Sequence, residues 1–371
     1  MPLTALDSQL MARALRLAER GRYTTMPNPQ VGCVLAQGET VVAEGFHVRA
    51  GRPHAEVNAL AGAGDRARGA TAYVTLEPCS HEGRTGPCSQ ALVKAGVTRV
   101  VYAMEDPNPK VGGRGLEMLR AAGVEIDGPL MEDEARALNP GFIKRMERGM
   151  PFVRCKLAMS LDGRTAMASG ESKWVTGRRA REDVQRMRAR SGAVISGIDT
   201  VLEDRAALTV RAPELKLDDA EAIAARQPLR VILDSRGRLP VDAPLLEHPG
   251  PVLLVHNGSA PEKDWPAQVE VIALGRDDGR IDLMALLREL ARRQCNEVLV
   301  ESGATLAGAF LGLGLLDELV VYMAPKLLGS NARPLFQLPL DTMAAQLPLK
   351  IHDIRALGHD WRITAAPDPE G

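Results

Sequence analysis

Three residues of the kinds that zinc prefers as ligands constrain this fold more than any other feature of the sequence. His54 lies in the run Pro53-His54-Ala55-Glu56, and Cys79 and Cys88 each follow a proline further along the chain. One imidazole and two thiolates leave the fourth position of a tetrahedral zinc site open, which is typical of catalytic sites. All three residues fall where a predicted strand ends or a predicted helix begins. The fold therefore has to bring the start of the helix that follows His54 close to the connection that carries Cys79 and Cys88.

Glu56 stands two residues after His54, so it can lie beside the metal without binding it. The pattern H-x-E followed by Pro-Cys and a second Cys is the signature of zinc deaminases, in which a carboxylate moves protons between water, ring and departing amine. A surface histidine and two unrelated buried cysteines are the alternative, but the combination with Glu56 argues against it. The spacing departs from the common C-x-x-C, because eight residues separate Cys79 from Cys88.

Length and composition indicate two domains and a small-molecule substrate. The chain has 371 residues, beyond the size at which single cores usually divide. Its net charge is −1 and only 3% of its residues are aromatic, whereas nucleic-acid binders usually carry a basic stripe and stacking aromatics. We therefore expect neither nucleic acid nor membrane as a partner, since no stretch is long and apolar enough to cross a bilayer.

Cysteine usage predicts a reducing compartment. Five cysteines are present, and Cys33, Cys155 and Cys295 lie in apolar or helical surroundings away from the proposed ligands. We expect these three to be buried free thiols. An odd count without a disulfide framework, together with an N-terminus that lacks a signal-peptide pattern, predicts a cytoplasmic protein.

The order of elements predicts an α/β fold in each half. Strands alternate with helices, which is typical of a mainly parallel sheet covered on both faces. Breaks at Asn139-Pro140-Gly141 and Gly149-Met150-Pro151 predict a boundary, giving domains 1–148 and 149–371. In the second half, strands are predicted at 152–159, 193–197, 229–233, 251–256, 269–274, 297–300 and 319–324, and helices at 176–191, 282–293 and 303–316.

The second half offers an anion cradle rather than a dinucleotide fingerprint. No G-x-G-x-x-G follows a predicted strand, but the small residues of 301–309 open a helix where backbone N–H groups could approach a pyrophosphate. The alternative is that these small residues serve only close packing, which explains most Gly- and Ala-rich helix starts. Lys156 lies within an apolar strand, where it either points outward or needs a partner. The arginine-rich helix 176–191 is interpreted mainly as a solvated face.

Longer motifs carry a resemblance over essentially the whole chain. They are Pro27-Asn28-Pro29-Gln30-Val31-Gly32, Pro53-His54-Ala55-Glu56, the run from Glu77-Pro78-Cys79 to Pro87-Cys88, Glu105-Asp106-Pro107-Asn108-Pro109, Lys156 to Gly163, Ser172-Lys173-Trp174 and Ala324 to Gly329. With these motifs the chain resembles the bifunctional deaminase–reductases of riboflavin biosynthesis. The eight-residue insertion between the cysteines is itself a mark of that family.

The resemblance implies a fold, two reactions and two cofactors. A cytidine-deaminase-like three-layer αβα domain would use Zn²⁺ to deaminate 2,5-diamino-6-(5-phosphoribosylamino)pyrimidin-4-one to the corresponding uracil. A dihydrofolate-reductase-like α/β domain would then use NADPH to reduce the ribosyl group to ribityl. A homo-oligomer, dimer or tetramer, is expected.

The resemblance also assigns residues to roles. Glu56 and Lys156 would be catalytic, and His54, Cys79 and Cys88 would bind zinc. Substrate would be bound by Asn28 at the pyrimidine, by Arg84 at the phosphate and by Asp106 and Asn108 at the ribose. In the reductase, substrate contacts would come from Ser172, Arg188, Leu208, Arg211 and Glu301. Cofactor contacts would come from Ala158, Trp174, Thr200, Asp204, Ser235, Gly303, Ala304, Thr305, Leu306, Ala307, Gly308 and Ala309.

One loop departs from the family pattern. Arg205 and Ala206 stand where the family more often has a second aspartate and a proline.

Two rival hypotheses stay open. The first rival is another zinc-dependent nucleoside or nucleic-acid deaminase with an unrelated C-terminal module, which predicts C-x-x-C spacing. The second is a non-catalytic binding protein, which would tolerate loss of Glu56. Of the three hypotheses, only the bifunctional enzyme predicts consumption of NADPH with the phosphoribosyl substrate.

Overall fold

The structure, a computed structural model, describes residues 3–80, 86–109, 111–259 and 261–368. The chain folds as two compact units, Met1–Met150 and Pro151–Gly371. The division falls two residues after the boundary placed between residues 148 and 149 on sequence grounds. Across the described residues, no helix combines the length and the apolar character that a membrane span requires.

The first unit is built on a five-stranded sheet in the order β2-β1-β3-β4-β5. Its strands are β1 (Gly32–Gln37), β2 (Thr40–Phe46), β3 (Thr71–Val74), β4 (Arg99–Tyr102) and β5 (Glu125–Asp127). Its helices are α1 (Ala5–Ala18), α2 (Ala55–Ala63), α3 (Cys88–Lys94), α4 (Arg114–Ala121), α5 (Glu132–Leu138) and α6 (Pro140–Arg148). Strands β3, β4 and β5 are parallel, whereas β1 is antiparallel to both its neighbours. The sheet is thus parallel from β3 to β5 and antiparallel at the edge formed by the β1–β2 hairpin, since two strands joined by a tight turn can pair only in that sense.

Helix α1 is tied to the sheet by a buried carboxylate. Thr4 and Asp7 form a capping box at the start of the helix, which satisfies backbone N–H groups that have no partner within the helix. Asp7 also accepts hydrogen bonds from the Tyr73 hydroxyl and from Arg99, at 2.8 and 2.7 Å. This end of the helix is consequently fixed over β3 and β4.

The second unit contains a nine-stranded sheet in the order β11-β10-β9-β8-β12-β6-β13-β16-β15. Its strands are β6 (Phe152–Ser160), β8 (Ala193–Gly197), β9 (Leu229–Leu233), β10 (Val252–His256), β11 (Val269–Ala273), β12 (Glu297–Glu301), β13 (Glu318–Ala324), β15 (Leu349–Leu357) and β16 (Asp360–Pro367). Strands β7 (Arg164–Ala166) and β14 (Arg333–Pro334) pair separately. The helices are α7 (Arg178–Arg190), α8 (Ile198–Asp204), α9 (Ala212–Leu215), α10 (Ala220–Ala224), α11 (Leu283–Arg292) and α12 (Ala304–Gly312).

Seven strands of this sheet are parallel, and a C-terminal hairpin extends it. β16 pairs antiparallel with β13, and β15 pairs antiparallel with β16. The hairpin was not predicted, and neither was the helix Pro140–Arg148, where the sequence had indicated a break. A helix does end at this break, at Leu138, and the proline starts the next helix, because its missing N–H has no partner at the first helical position in any case.

One face of the second sheet holds a buried network of charged side chains. Arg154 on β6 is paired with Glu297 on β12 at 2.8 Å and also with Glu318 on β13. Arg190 from α7 reaches the same Glu297 carboxylate at 3.0 Å. Both carboxylates therefore face a guanidinium, as charges in a protein interior must if they are to remain ionised.

Candidate zinc centre and reductase site

The three predicted zinc ligands converge in the first unit. His54 is the N-cap of α2, Cys88 is the first residue of α3, and Cys79 follows β3. His54 Nδ1 lies 3.6 Å from Cys79 Sγ and 3.3 Å from Cys88 Sγ, and the three ligand atoms lie within 4.8 Å of one another. A tetrahedral zinc with Zn–N near 2.0 Å and Zn–S near 2.3 Å separates nitrogen from sulfur by about 3.6 Å. The donor set and its spacing therefore suit zinc.

Local contacts fix these ligands. The Cys88 backbone N–H donates to Cys79 Sγ at 3.4 Å, which favours the thiolate form of Cys79. The pKa of Cys79 is lowered to about 4, chiefly by its hydrogen bond with the Cys88 side chain and also by His54. The Ser89 hydroxyl donates to Cys79 O at 3.0 Å, which ties the Cys79 segment to α3.

Glu56 is a buried acid beside the ligands. It lies in the first turn of α2 and is 3% exposed. Burial first, and the nearby charge of Cys79 second, raise its pKa to about 7. A carboxyl group with a pKa near neutrality can both accept and donate a proton, which is what the predicted acid–base role requires.

His47 was not identified from the sequence, yet it fixes Asn28. His47 Nδ1 lies 3.1 Å from Pro53 O, and because a carbonyl only accepts, this nitrogen carries the proton. Burial lowers the pKa of His47, so the ring is neutral and its Nε2 accepts from Asn28 Nδ2 at 3.1 Å. The Asn28 amide is thus oriented, and its oxygen is not used in this contact. The ring of His47 also meets that of His54 edge-on at 5.4 Å.

Asp106 and Asn108 lie in the β4–α4 loop, defined here as residues 103–109 and 111–113. The Asn108 N–H donates to Asp106 Oδ1 at 2.8 Å, forming a local turn. Glu77, which belongs to a sequence motif but had no predicted role, accepts hydrogen bonds from three backbone N–H groups around this loop. Arg84, the predicted phosphate contact, lies outside the described residues.

Lys156, Arg188 and Glu301 come together in the second unit, as a shared site requires. Lys156 on β6 is the register partner of Glu301 on β12. Arg188 from α7 grips the Glu301 carboxylate with Nε at 2.6 Å and Nη2 at 2.9 Å, and its Nη1 donates to Thr209 O at 2.9 Å. Burial lowers the pKa of Lys156, while the charge of Glu301 opposes that shift.

A second group surrounds Asp204, the last residue of α8. Its Oδ1 accepts from the Ser172 hydroxyl at 2.8 Å, and its backbone oxygen accepts from Lys173 Nζ at 2.8 Å. Trp174 follows directly and is 64% exposed, and the Arg181 guanidinium lies 4.5 Å from its ring centroid. Ser172, Trp174 and Asp204 are therefore close to one another, as their predicted roles need.

The other predicted reductase residues are placed less uniformly. Ala158 lies on β6, Thr200 on α8, and Ser235 two residues after the end of β9, whereas Gly303 is the N-cap of α12 and Ala304 to Ala309 are its first six residues. Leu208 is buried in the apolar core with a left-handed backbone (φ 55°), so it does not join the polar groups. Arg211 is half exposed and grips Glu214 with two bonds at 2.6 and 2.9 Å.

Family profiles match both units. The profile described as cytidine and deoxycytidylate deaminase zinc-binding region matches residues 4–104, and that of the RibD C-terminal domain matches residues 151–363. The riboflavin biosynthesis proteins RibD of Escherichia coli (strain K12) and Haemophilus influenzae are each 50% identical to this chain. These alignments cover 95% and 99% of this chain and 97% and 99% of the relatives. The chain belongs to the RibD family.

Solved structures of similar proteins match nearly the whole chain. Acinetobacter baumannii RibD superimposes with a TM-score of 0.90 at 49% identity, covering 98% of this chain and 99% of that one. A Thermotoga maritima protein described as a diaminohydroxyphosphoribosylaminopyrimidine deaminase/5-amino-6-(5-phosphoribosylamino)uracil reductase gives 0.86 at 34% identity, with 98% and 99% coverage.

The protein is thus a bifunctional deaminase–reductase of riboflavin biosynthesis. Its first unit is a zinc-binding deaminase domain and its second a RibD reductase domain, which uses NADPH. The predicted family, α/β fold class, activities and cofactors are confirmed. The rival hypothesis of an unrelated C-terminal module is wrong, because that half matches the RibD C-terminal profile.

Proposed function

We propose that the chain converts 2,5-diamino-6-(5-phosphoribosylamino)pyrimidin-4-one to 5-amino-6-(5-phosphoribosylamino)uracil and then reduces the ribosyl group to ribityl. The observation that carries the first step is the convergence of His54, Cys79 and Cys88 beside the buried Glu56. The second step is supported by the group of Lys156 and Glu301 on adjacent strands of a reductase domain.

In the deaminase, each residue has a distinct task. His54, Cys79 and Cys88 would hold zinc, which lowers the pKa of a bound water toward neutrality. Glu56 takes a first proton from the attacking water at its carboxylate and gives it to the ring nitrogen; it then takes a second proton from the hydroxyl added to the ring carbon and gives it to the departing amine. Asn28, oriented by His47, binds the pyrimidine. Asp106 and Asn108 bind the ribose and Arg84 the phosphate.

In the reductase, NADPH supplies the hydride when bound, and the chain binds and orients the two reactants. The cofactor is bound by Ala158, Trp174, Thr200, Asp204, Ser235 and the segment Gly303 to Ala309. The substrate is contacted by the side chains of Ser172, Arg188, Arg211 and Glu301 and by the backbone of Leu208, whose side chain is buried. Lys156 lies beside the sugar, where its Nζ donates a hydrogen bond to the sugar oxygen.

We assign the deaminase to residues 1–148 and the reductase to residues 149–371, in keeping with the division into two compact units near residue 150. We also place the protein in the cytoplasm. Cys33 and Cys155 are buried thiols outside any disulfide, which suits a reducing compartment.

We further propose that the chain forms a homo-oligomer, a dimer or a tetramer. Strand β15 has no neighbour on its outer edge among the described strands, and Ile351, Ile354 and Trp361 of the hairpin are exposed. An edge strand with apolar side chains is a surface that pairs readily with a second copy. Light scattering of the wild type and of Ile354→Lys tests this, since the charged variant should have a lower mass.

Glu56→Gln tests the deaminase assignment. Glutamine has the same shape but cannot move protons, so ammonia release should fall by about 10²–10⁴-fold while zinc stays at one per chain. NADPH oxidation with the deaminated substrate should be unchanged, which is the internal control. Ammonia release near the wild-type rate would reduce Glu56 to a structural residue.

A further inference from the structure

Glu77 is a buried carboxylate bonded to backbone groups that lie 29 to 38 positions further along the chain. It is 3% exposed, and its Oε2 accepts from the Asp106 N–H at 3.2 Å and from the Gly113 N–H at 2.9 Å. Its Oε1 accepts from the Gly115 N–H at 2.9 Å. The three donors are in the β4–α4 loop and at the start of α4. The chemistry described above gives no role to this carboxylate.

The backbone of both segments is shaped to allow the contacts of Glu77. Gly113 is the N-cap of α4 with a left-handed φ of 80°, and Gly115 lies so close to Pro78 that a Cβ there would be 1.8 Å from Pro78 O. The Glu77 N–H in turn donates to Met104 O at 2.9 Å. The segment that ends in Cys79 and the segment that begins α4 are therefore clamped together through Glu77.

A carboxylate suits this position better than any neutral side chain. The first N–H groups of a helix have no partner within the helix, and their dipoles favour a negative charge. Glu77 accepts three bonds with two oxygens, which an amide cannot do, because one of its two ends is a donor. Bonds to an ionised acceptor are also stronger than neutral ones.

We propose that Glu77 is a positioning residue of the deaminase, which clamps the β4–α4 loop beside the Cys79 segment so that Asp106 and Asn108 meet the sugar of the substrate. The inference rests on the proposed ribose contacts of those two residues. Glu77 does not touch substrate and acts through the loop. Its loss should therefore weaken substrate binding more than it slows the chemistry at the metal site.

A role in the metal site is the alternative, since Glu77 is two residues from Cys79. The Cys79 segment has other supports, however, because Cys88 N–H bonds to its sulfur and Ser89 Oγ to its carbonyl. Zinc content separates the two roles. A positioning residue leaves one zinc per chain after substitution, and a residue that supports the ligands does not.

The test is Glu77→Gln in the intact chain, assayed by ammonia release, NADPH oxidation and zinc analysis. We expect KM of the deaminase to rise about ten- to a hundredfold, as for the loss of charge-assisted contacts, with kcat changed less than about threefold. Zinc and the reductase rate should be those of the wild type. Glu77→Asp, which keeps the charge, should recover part of the loss. Glu117→Gln, an exposed acid on the same helix, is the matched control and should be silent.

Three results would overturn the proposal: an unchanged KM, lost zinc, or a fall in kcat alone. Asn108→Ala separates it from the proposed function. If Asn108→Ala leaves KM unchanged, the ribose assignment is wrong; if it raises KM while Glu77→Gln does not, only the role of Glu77 is wrong. The double variant should lose less than the product of the single effects, because both act through one contact.

If Glu77→Gln does not fold, hydrogen exchange of the wild type decides. The Gly113 and Gly115 amides should be protected, and bound deaminase substrate should increase that protection. Exchange at the rate of exposed amides would contradict the clamp.

Discussion

Replacing Arg188 by methionine and Glu301 by glutamine should destabilise the second unit by different amounts. The two side chains form a largely buried pair, with 12% and 10% of their side-chain surfaces exposed. Burial by itself raises the pKa of Glu301, but Arg188 and Lys156 together lower it below its usual range. The Glu301 carboxylate therefore interacts with two cations, whereas the Arg188 guanidinium bonds to one carboxylate and one backbone carbonyl.

The magnitudes follow from what each change leaves behind. Arg188→Met removes charge-assisted hydrogen bonds, but Lys156 still faces the Glu301 carboxylate, so we expect a loss of about 1.5–3 kcal/mol. Glu301→Gln leaves the largely buried Arg188 and the half-buried Lys156 without a counter-charge, for which about 3–5 kcal/mol is expected. The glutamine variant should thus be the less stable of the two.

Urea unfolding followed by tryptophan fluorescence measures this in the intact chain. All three tryptophans, Trp174, Trp265 and Trp361, lie in the second unit, so selective excitation reports on that unit alone. A methionine variant as unstable as the glutamine variant, or more so, would refute the assignment of Lys156 as the second partner. A fall in the reductase rate of an Arg188 variant can come from lower stability of the second unit as well as from weaker substrate binding. The unfolding measurement separates these two causes.

Three further predictions concern other charged and metal-binding groups. Cys79→Ser and Cys88→Ser should each lose most of the bound zinc, which metal analysis measures; full zinc in both would contradict the ligand assignment. Arg211→Ala should lower reductase kcat/KM at least tenfold with little change in fluorescence-monitored stability, whereas Arg179→Ala on the exposed face of α7 should be silent. Burial raises the pKa of Glu297, but its arginine partners lower it to about 2. Because this folded-state pKa is depressed, Glu297→Gln should be less stable than wild type at neutral pH, and the difference should vanish as the pH falls from about 4.5 to 2 in urea titrations.

Much of the fold follows from local pattern. Strand β9 coincides with its predicted range, 229–233, because a continuous apolar run between polar turns is what a buried parallel strand requires. The hairpin of β15 and β16 escaped notice for the opposite reason. Both faces of β15 are largely exposed, so its sequence has no clean alternation, and it is a strand only because β16 pairs with it.

Site residues could be predicted from the sequence only where the residue type by itself indicates the chemistry. His, Cys and Glu at deaminase spacing predict a metal site without any knowledge of their surroundings. His47 and Glu77 carry no such signal, because their importance comes from partners far along the chain. The ion pair of Arg188 with Glu301 was missed likewise, since 113 positions separate the two residues. A glutamate held by three backbone N–H groups looks the same in a sequence as one exposed to solvent.

The charged layers in the second sheet also restrict how its central strands can align. Strand β12 is apolar on both faces at Val298, Leu299 and Val300, so hydrophobic burial alone barely distinguishes one alignment with β6 from its neighbours. A slip by one position would turn Arg154 and Lys156 away from their carboxylates and leave four charges stranded in the interior. Each misaligned pairing is thereby penalised electrostatically, so these charges favour the observed alignment of β6 with β12 over its neighbours.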